Sequence, residues 1–165
     1  IQNKLLWAVS GKTAAELMYY RANASQPMMG LTSTEKEGKV TKNDVLIGKN
    51  YLNEKEISQL KLIVEQFLAY AEAQALAEKP MYMRDWIQKL RLVLTMNEKS
   101  ILEHAGKISH EMAVAKATKE YIAYKEQQQQ IEHVESIKQL DQDLKRIAAR
   151  TNNTKKGDAG EAIKK

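Results

Sequence analysis

Two long helical patterns, joined at Lys79-Pro80, constrain the fold of this chain more than any other feature. The first begins at Asn53, and Glu56 three residues later completes a capping box that satisfies free N–H groups at a helix start. Apolar residues then recur every three or four positions, which predicts a helix with one buried stripe. Pro80 ends this helix, because proline disfavours helical backbone in the residue before it. The predicted stripe comprises Ile57, Leu60, Val64, Phe67, Leu68, Ala71 and Ala75.

The second pattern follows the break and continues to Asn97 without glycine or proline. Two helices joined by a short connection are expected to pack as an antiparallel hairpin. Each fully buried large apolar side chain stabilises a fold by roughly 1.5 to 3 kcal/mol, so this pair supplies a large share of the driving force. We predict an all-α fold, a multi-helix bundle around this central antiparallel hairpin, with a long C-terminal helix. The apolar residues of the second pattern are Trp86, Ile87, Leu90, Val93 and Leu94.

Length and composition favour one soluble domain. The chain has 165 residues and no cysteine, which excludes disulfides, thiol catalysis and thiolate metal sites. No apolar run approaches the roughly 18 residues that span a bilayer, so we expect a cytoplasmic protein without membrane contact. We predict a single helical domain over residues 1–150 and a flexible tail over residues 151–165, which are nearly all polar or small. The start at Ile1, without an initiator methionine, suggests a piece of a longer protein.

The net charge of +5 is unevenly distributed. Basic residues outnumber acidic ones over residues 1–50 and 79–107, and acidic residues outnumber basic ones over residues 51–78. Such basic zones are suited to contact with phosphate groups. The alternative is an ordinary solvated helix face, which is the commoner meaning of such a charge pattern.

A second capping box opens an early helix. Thr13 and Glu16 stand three residues apart at the start of an apolar pattern, directly after Gly11 and Lys12. The N–H groups at this start either bind an anion or are simply capped by Thr13. A phosphate-binding P-loop is excluded, because Leu6 stands where that motif requires its first glycine.

The stretch over residues 23–39 contains one proline, two glycines and several small polar residues. This composition predicts a long surface connection, and its length makes it a candidate functional loop. Thr41 and Asp44 then start another short helix.

Two histidines give the most chemically suggestive stretch. His104 and His110 lie six residues apart, with Glu103 and Glu111 beside them. They converge only if the turn at Gly106 folds them together, so a metal site is one interpretation and backbone-bonded histidines at helix ends are the other. A His–Glu pair can begin acid–base catalysis, but no nucleophile or cofactor motif accompanies it. We therefore assign no metal and no cofactor, and keep both histidines as catalytic candidates.

The last helical pattern runs from His110 to about Arg150 and ends in an apolar seam with spacings of three or four. This seam fits an amphipathic helix that packs either on its own domain or on a second copy, as a homodimer. Two or three heptads are marginal for an independent coiled coil. The seam comprises Val134, Ile137, Leu140, Leu144 and Ile147.

Four segments carry a resemblance: NKLLWAVSGKTAAELMYYRANASQPMMGLTS, GKNYLNEKEISQLKLIVEQFLAYAEAQA, KPMYMRDWIQKL and ILEHAGKISHEMA. Taken in this order, they resemble the C-terminal half of the RhuM-like virulence protein family of bacteria, over residues 1–124. The resemblance implies a two-part cytoplasmic protein, with a winged-helix-like, DNA-binding N-terminal half absent here and a helical half of unknown role. It implies no catalytic residues.

These segments contain polar residues that a hydrophobic core does not require. Their ordinary roles are helix caps, salt bridges and turn hydrogen bonds, and their functional role would be ligand or nucleic-acid binding. The binding candidates are Lys12, Thr13, Glu16, Arg21, Arg84, Asp85, Lys107 and Ser109, with Asn50 and Asn53 as further polar positions.

Three hypotheses follow. The leading one is a non-enzymatic helical accessory domain that self-associates and assists the DNA-binding half in a virulence or mobile-element setting. The second is an enzyme acting on nucleotides or nucleic acid, which requires Lys12, Arg21, His104 and His110 to gather in one cleft. The third is a protein-binding module, which a large exposed apolar patch would favour.

Overall fold

The structure, a computed structural model, describes residues 1–161 and the side chains of residues 1–147. Over this range it has six α-helices and no β-strand, which confirms the all-α prediction. Each of these helices is too short or too polar to cross a membrane. They are α1 (Gln2–Ser10), α2 (Ala14–Arg21), α3 (Lys42–Val45), α4 (Glu54–Leu76), α5 (Met83–Met96) and α6 (His110–Glu161), with 3₁₀ helices at Pro27–Gly30 and Gly48–Tyr51.

The chain divides into two compact units. The first is Ile1–Tyr124, which includes the first turns of α6, and the second begins at Lys125. The predicted single domain over residues 1–150 stays a prediction. So does the flexible tail: α6 is described to Glu161, whereas residues 162–165 and the side chains after Ile147 lie outside the described part.

The largest group of buried apolar side chains, which we call the main core, is centred on α2. Leu17 and Met18 of α2 pack with Tyr51 and Leu52, and α6 adds two alanines, Ala113 and Ala117, that allow close approach. The long connection contributes too, so it is more than the surface segment that its composition predicts. Its buried residues are Ala24, Met29 and Leu31, and Val40 directly after it is buried too.

Hydrogen bonds hold this connection against the main core. Asn50 donates through its side-chain amide to the carbonyl of Asp44 at 3.0 Å, and its own carbonyl accepts from the N–H of Thr32 at 2.8 Å. The Asp44 carboxylate accepts from the N–H of Glu35 at 3.0 Å. The Tyr51 hydroxyl donates to a main-chain carbonyl at 2.9 Å. Buried polar groups are therefore bonded, which removes the cost of their desolvation.

Helices α4 and α5, which we call the hairpin, form a second, smaller core. Hydrogen bonds join Gln59 to Lys99 at 3.0 Å and Gln66 to Asn97 at 2.6 Å. As the residue number rises along α4, the number of its partner falls. The two helices therefore run in opposite directions. In α4 the buried residue is Ile63, which the predicted stripe does not include. The other buried members of this core are Ala8 of α1 and Leu90 and Leu94 of α5.

Candidate functional site

A tight turn between α1 and α2 places Lys12 at the surface of the main core. Gly11 ends α1 in the left-handed conformation, with φ 65° and ψ 20°, and donates its N–H to the carbonyl of Trp7 at 2.8 Å. The Ser10 hydroxyl accepts from the N–H of Lys12 at 3.2 Å. Thr13 then caps α2. The backbone on both sides of Lys12 is therefore fixed by hydrogen bonds.

Glu16 joins this turn to a distant part of the chain. Its carboxylate accepts from the N–H of Thr13 at 2.8 Å and the Thr13 hydroxyl at 3.1 Å, and the capping box predicted from the sequence is confirmed. The other oxygen accepts from the N–H of Lys107 at 2.8 Å. Glu16 is 4% exposed. Burial alone would raise the pKa of Glu16, but these hydrogen bonds outweigh it and the pKa is lowered, so the group stays ionised.

The loop that carries Lys107 approaches α2 closely. Gly106 has a φ of +95°, and a Cβ there would lie 3.0 Å from a methyl carbon of Thr13, so glycine suits both the conformation and the space. His104 accepts from the N–H of Gly106 at its Nδ1, at 3.1 Å, and its ring meets the Trp7 ring edge-on at 4.8 Å between centroids. His104 thereby bonds to the backbone of the turn, as the plainer sequence interpretation proposed, but it lies in the loop before α6 and not at a helix end.

These segments enclose a cleft of about 270 Å³, which we call the lysine cleft. The Lys12 ammonium lies 6.0 Å from the centroid of the Tyr20 ring. The residues that line the cleft therefore include two lysines, two aromatic residues and one carboxylate that is hydrogen-bonded to Thr13 and Lys107. Its lining consists of Trp7, Gly11, Lys12, Glu16, Tyr20 and Lys107.

Arg21, a further binding candidate, is engaged elsewhere. Its guanidinium donates to both carboxylate oxygens of Glu56, at 2.6 and 2.7 Å, and to the carbonyl of Tyr51 at 2.6 Å. This hydrogen-bonded pair lowers the pKa of Glu56 and raises the pKa of Arg21. Among the described residues, Arg21 ties α2 to the start of α4 and does not line the lysine cleft.

The remaining candidates have local roles. Asp85 accepts from the N–H of Tyr82 at 2.9 Å at the start of α5, and the exposed Arg84 lies 3.8 Å from Asp85. Ser109 accepts from the N–H of Met112 at 3.2 Å and so caps α6. His110 is the first residue of α6, is exposed and is absent from the lining of the lysine cleft. Over the described range, no three His, Asp or Glu side chains are grouped as a metal site would require.

The structure thus brings together Lys12, Thr13, Glu16 and Lys107, with His104 at their side. It adds two residues that sequence reasoning did not select, Trp7 and Tyr20. Tyr20 carries a detectable signal, because it follows Glu16 by four residues and so shares its face of α2. Trp7 carries no such signal, because α1 meets the loop around His104 only in the folded chain.

Comparison with models of known protein families shows which family this chain belongs to. The model of the virulence protein RhuM family matches residues 1–132 of the 165. The chain belongs to the virulence protein RhuM family. The RhuM match covers α1 to α5, the lysine cleft and the first turns of α6. Comparisons of this RhuM-family chain with curated proteins and with solved structures gave no significant match. That these residues form a C-terminal half, and that the whole protein binds DNA, stay predictions.

Proposed function

We propose that this RhuM-family chain is a non-enzymatic accessory domain that brings two copies of a cytoplasmic, DNA-binding protein together. DNA recognition would then belong to another part of that protein, as the resemblance implies. The part of this chain that carries the proposal is the apolar seam of α6, over residues 134–147.

The seam is exposed in the single chain. Its five side chains, from Val134 to Ile147, are 49 to 68% exposed, although all are large and apolar. Ile137, Leu140, Leu144 and Ile147 follow one another at spacings of three, four and three, which is the a and d pattern of a coiled coil. A contiguous apolar stripe of this kind is typical of an interface.

Charges beside the seam favour a second copy as its partner. Asp141 pairs with Lys145 at 2.7 Å and Asp143 lies 3.8 Å from Arg146, each within the same helix. These acidic side chains are therefore balanced locally. Two identical helices could approach without bringing unbalanced like charges together, which is the requirement for a self-complementary interface.

The arrangement of polar groups supports a non-enzymatic role. The buried carboxylate of Glu16 is occupied by three hydrogen bonds, and Nδ1 of His104 accepts from a backbone N–H. A general base needs a free position within hydrogen-bond reach of its substrate. These two groups are used to hold a turn and a loop in place.

Sedimentation equilibrium on the whole chain tests self-association. We expect the wild type to dimerise and a Leu140→Asp/Leu144→Asp variant to be monomeric, because each new carboxylate would be buried in the interface. The matched control is Gln139→Asp/Gln142→Asp, which adds the same charge outside the seam and should still dimerise. A wild type that stays monomeric at its highest soluble concentration, or a control that dissociates equally, would contradict the proposal.

A further inference from the structure

The side-chain nitrogens of Lys12 and Lys107 make no hydrogen bond or ion pair within the described part of the chain. Lys107 uses its backbone N–H to bind Glu16, but its side-chain nitrogen makes neither a hydrogen bond nor an ion pair there. The Lys12 ammonium lies 6.0 Å from the centroid of the Tyr20 ring, which is the limit for a cation–π contact. Its charge also helps to lower the pKa of Glu56, although the carboxylate of Glu56 is already paired with Arg21. Two lysines that line one concave surface without a hydrogen-bonded or ion-paired carboxylate favour an anion there.

The carboxylate in the lining does not cancel this preference. Glu16 is buried, and its carboxylate oxygens accept hydrogen bonds from Thr13 and from the backbone N–H of Lys107. These donors offset its negative charge. The neighbouring Glu56 is likewise held by Arg21. The ammonium groups therefore remain the charges available to a ligand.

Two aromatic rings stand beside these cations. Trp7 is half-buried and is held edge-on by His104, with centroids 4.8 Å apart. Tyr20 is exposed and meets Tyr19 edge-on at 5.3 Å. An exposed aromatic side chain beside a cationic surface offers a face for stacking a planar group, and stacking on such a ring accepts any nucleobase.

We propose that the lysine cleft binds one nucleotide unit, with the phosphate held by Lys12 and Lys107 and the base stacked on Tyr20 or Trp7. The cleft volume of about 270 Å³ favours a small ligand. It lies just below the range of small-molecule sites, which measure roughly 300 to 1,000 Å³, so the proposal is limited to a single nucleotide unit. The unit is either a free mononucleotide or the phosphorylated end of a strand. This binding role goes beyond self-association and needs no contribution from α6 after Tyr124.

Isothermal titration calorimetry with four probes tests the proposal: AMP, adenosine, inorganic phosphate and a 5′-phosphorylated oligothymidylate. Lys12→Ala/Lys107→Ala should weaken nucleotide binding at least about tenfold, because both phosphate contacts are lost. The matched control, Lys42→Ala/Lys55→Ala, removes two exposed lysines elsewhere and should bind like the wild type. Tyr20→Ala should weaken binding about tenfold, whereas Tyr20→Phe keeps the ring and should restore it.

The pattern across probes identifies the source of the nucleotide. Tighter binding of AMP than of adenosine and phosphate supports a free mononucleotide. Binding of the oligonucleotide alone, with the same dependence on Lys12 and Lys107, supports a strand end. The proposal is overturned if no probe binds, if phosphate binds as tightly as AMP, or if the control loses as much affinity as the cleft variant.

Discussion

The main core and the hairpin both contain many apolar residues, but the two regions bury different shares of them. In the main core, Leu17 and Tyr51 are fully buried, and the polar groups around them are hydrogen-bonded. In the hairpin, α4 spans 23 residues and has Ile63 as its buried residue, while Leu76 is 81% exposed. The difference teaches that long apolar periodicity does not by itself locate the core. Short helices that pack on several neighbours at once bury more per residue.

Capping boxes define the helix starts that lie nearest the main core. Thr13, Thr41 and Asn53 each accept from a backbone N–H three residues later, and each has an acidic partner that bonds back. These three boxes fix where α2, α3 and α4 begin, around the main core. At the free end of the hairpin, the Asp85 carboxylate accepts from the N–H of Tyr82 at the start of α5, and main-chain bonds close the last turn of α4.

The largest expected effect comes from truncating a leucine in each region. Leu17→Ala should lower the free energy of unfolding by about 3 kcal/mol, because the side chain is fully buried and leaves a cavity. Leu68→Ala in α4 removes the same atoms from a side chain that is 58% exposed. It should lower the free energy of unfolding by less than about 0.5 kcal/mol. Urea denaturation followed by circular dichroism measures both. Equal losses would mean that the hairpin is buried in solution and would break the comparison.

A smaller effect, with a pH signature, is expected for Glu16→Gln. The variant should cost about 2 kcal/mol near neutral pH, because it replaces a carboxylate that accepts three hydrogen bonds. The folded pKa of Glu16 is lowered from 4.5, so its stabilisation is complete above that pH and is lost as the pH falls through the folded value. The difference in free energy of unfolding between the wild type and the variant should therefore become smaller as the pH falls.

Urea denaturation at a series of pH values checks this prediction. The matched control is Glu72→Gln, on the exposed surface of α4. The free energy of unfolding of this control should depend on pH in the same way as that of the wild type. If the free energy of unfolding of the Glu16 variant also follows that of the wild type throughout the acid range, the hydrogen bonds to Thr13 and Lys107 do not stabilise the ionised form of Glu16.

The smallest of the three effects compares two ion pairs. Arg21→Met should cost about 1 kcal/mol, because the partly buried guanidinium loses its bonds to Glu56 and to the Tyr51 carbonyl. Lys61→Met breaks the exposed pair with Glu65, 3.8 Å apart on α4, and should have almost no effect. Thermal unfolding at low and high salt distinguishes them. A salt-sensitive loss for Lys61 as large as that for Arg21 would contradict the predicted difference.

Local signals predicted local structure well. The starts of α2, α3 and α4 follow from capping boxes, and the end of α5 at Met96 follows from Asn97. Burial was harder to predict. Ile63 lies outside the stripe read from the sequence, because the face of α4 that is covered depends on where α1 packs against it.

The candidate site was predictable only in part, for the same physical reason. Lys12, Thr13 and Glu16 are neighbours in sequence, and their cap could be read directly. The bond from Lys107 to Glu16 joins residues 91 positions apart and depends on the turn at Gly106. No periodicity or spacing encodes such a contact, so Lys107 could be selected as a polar residue but not placed beside Lys12.

The bond from Arg21 to the first turn of α4 also has a mechanical consequence. A helix of 23 residues is about 35 Å long, and α4 is held at its base by Arg21 and near its middle by Ile63. Beyond that point its described contacts are with α5 and with Asn97 directly after it. We therefore expect a displacement of the helix end at Leu76 to be resisted at the base of α4, where Glu56 pairs with Arg21 and Leu60 packs on the main core.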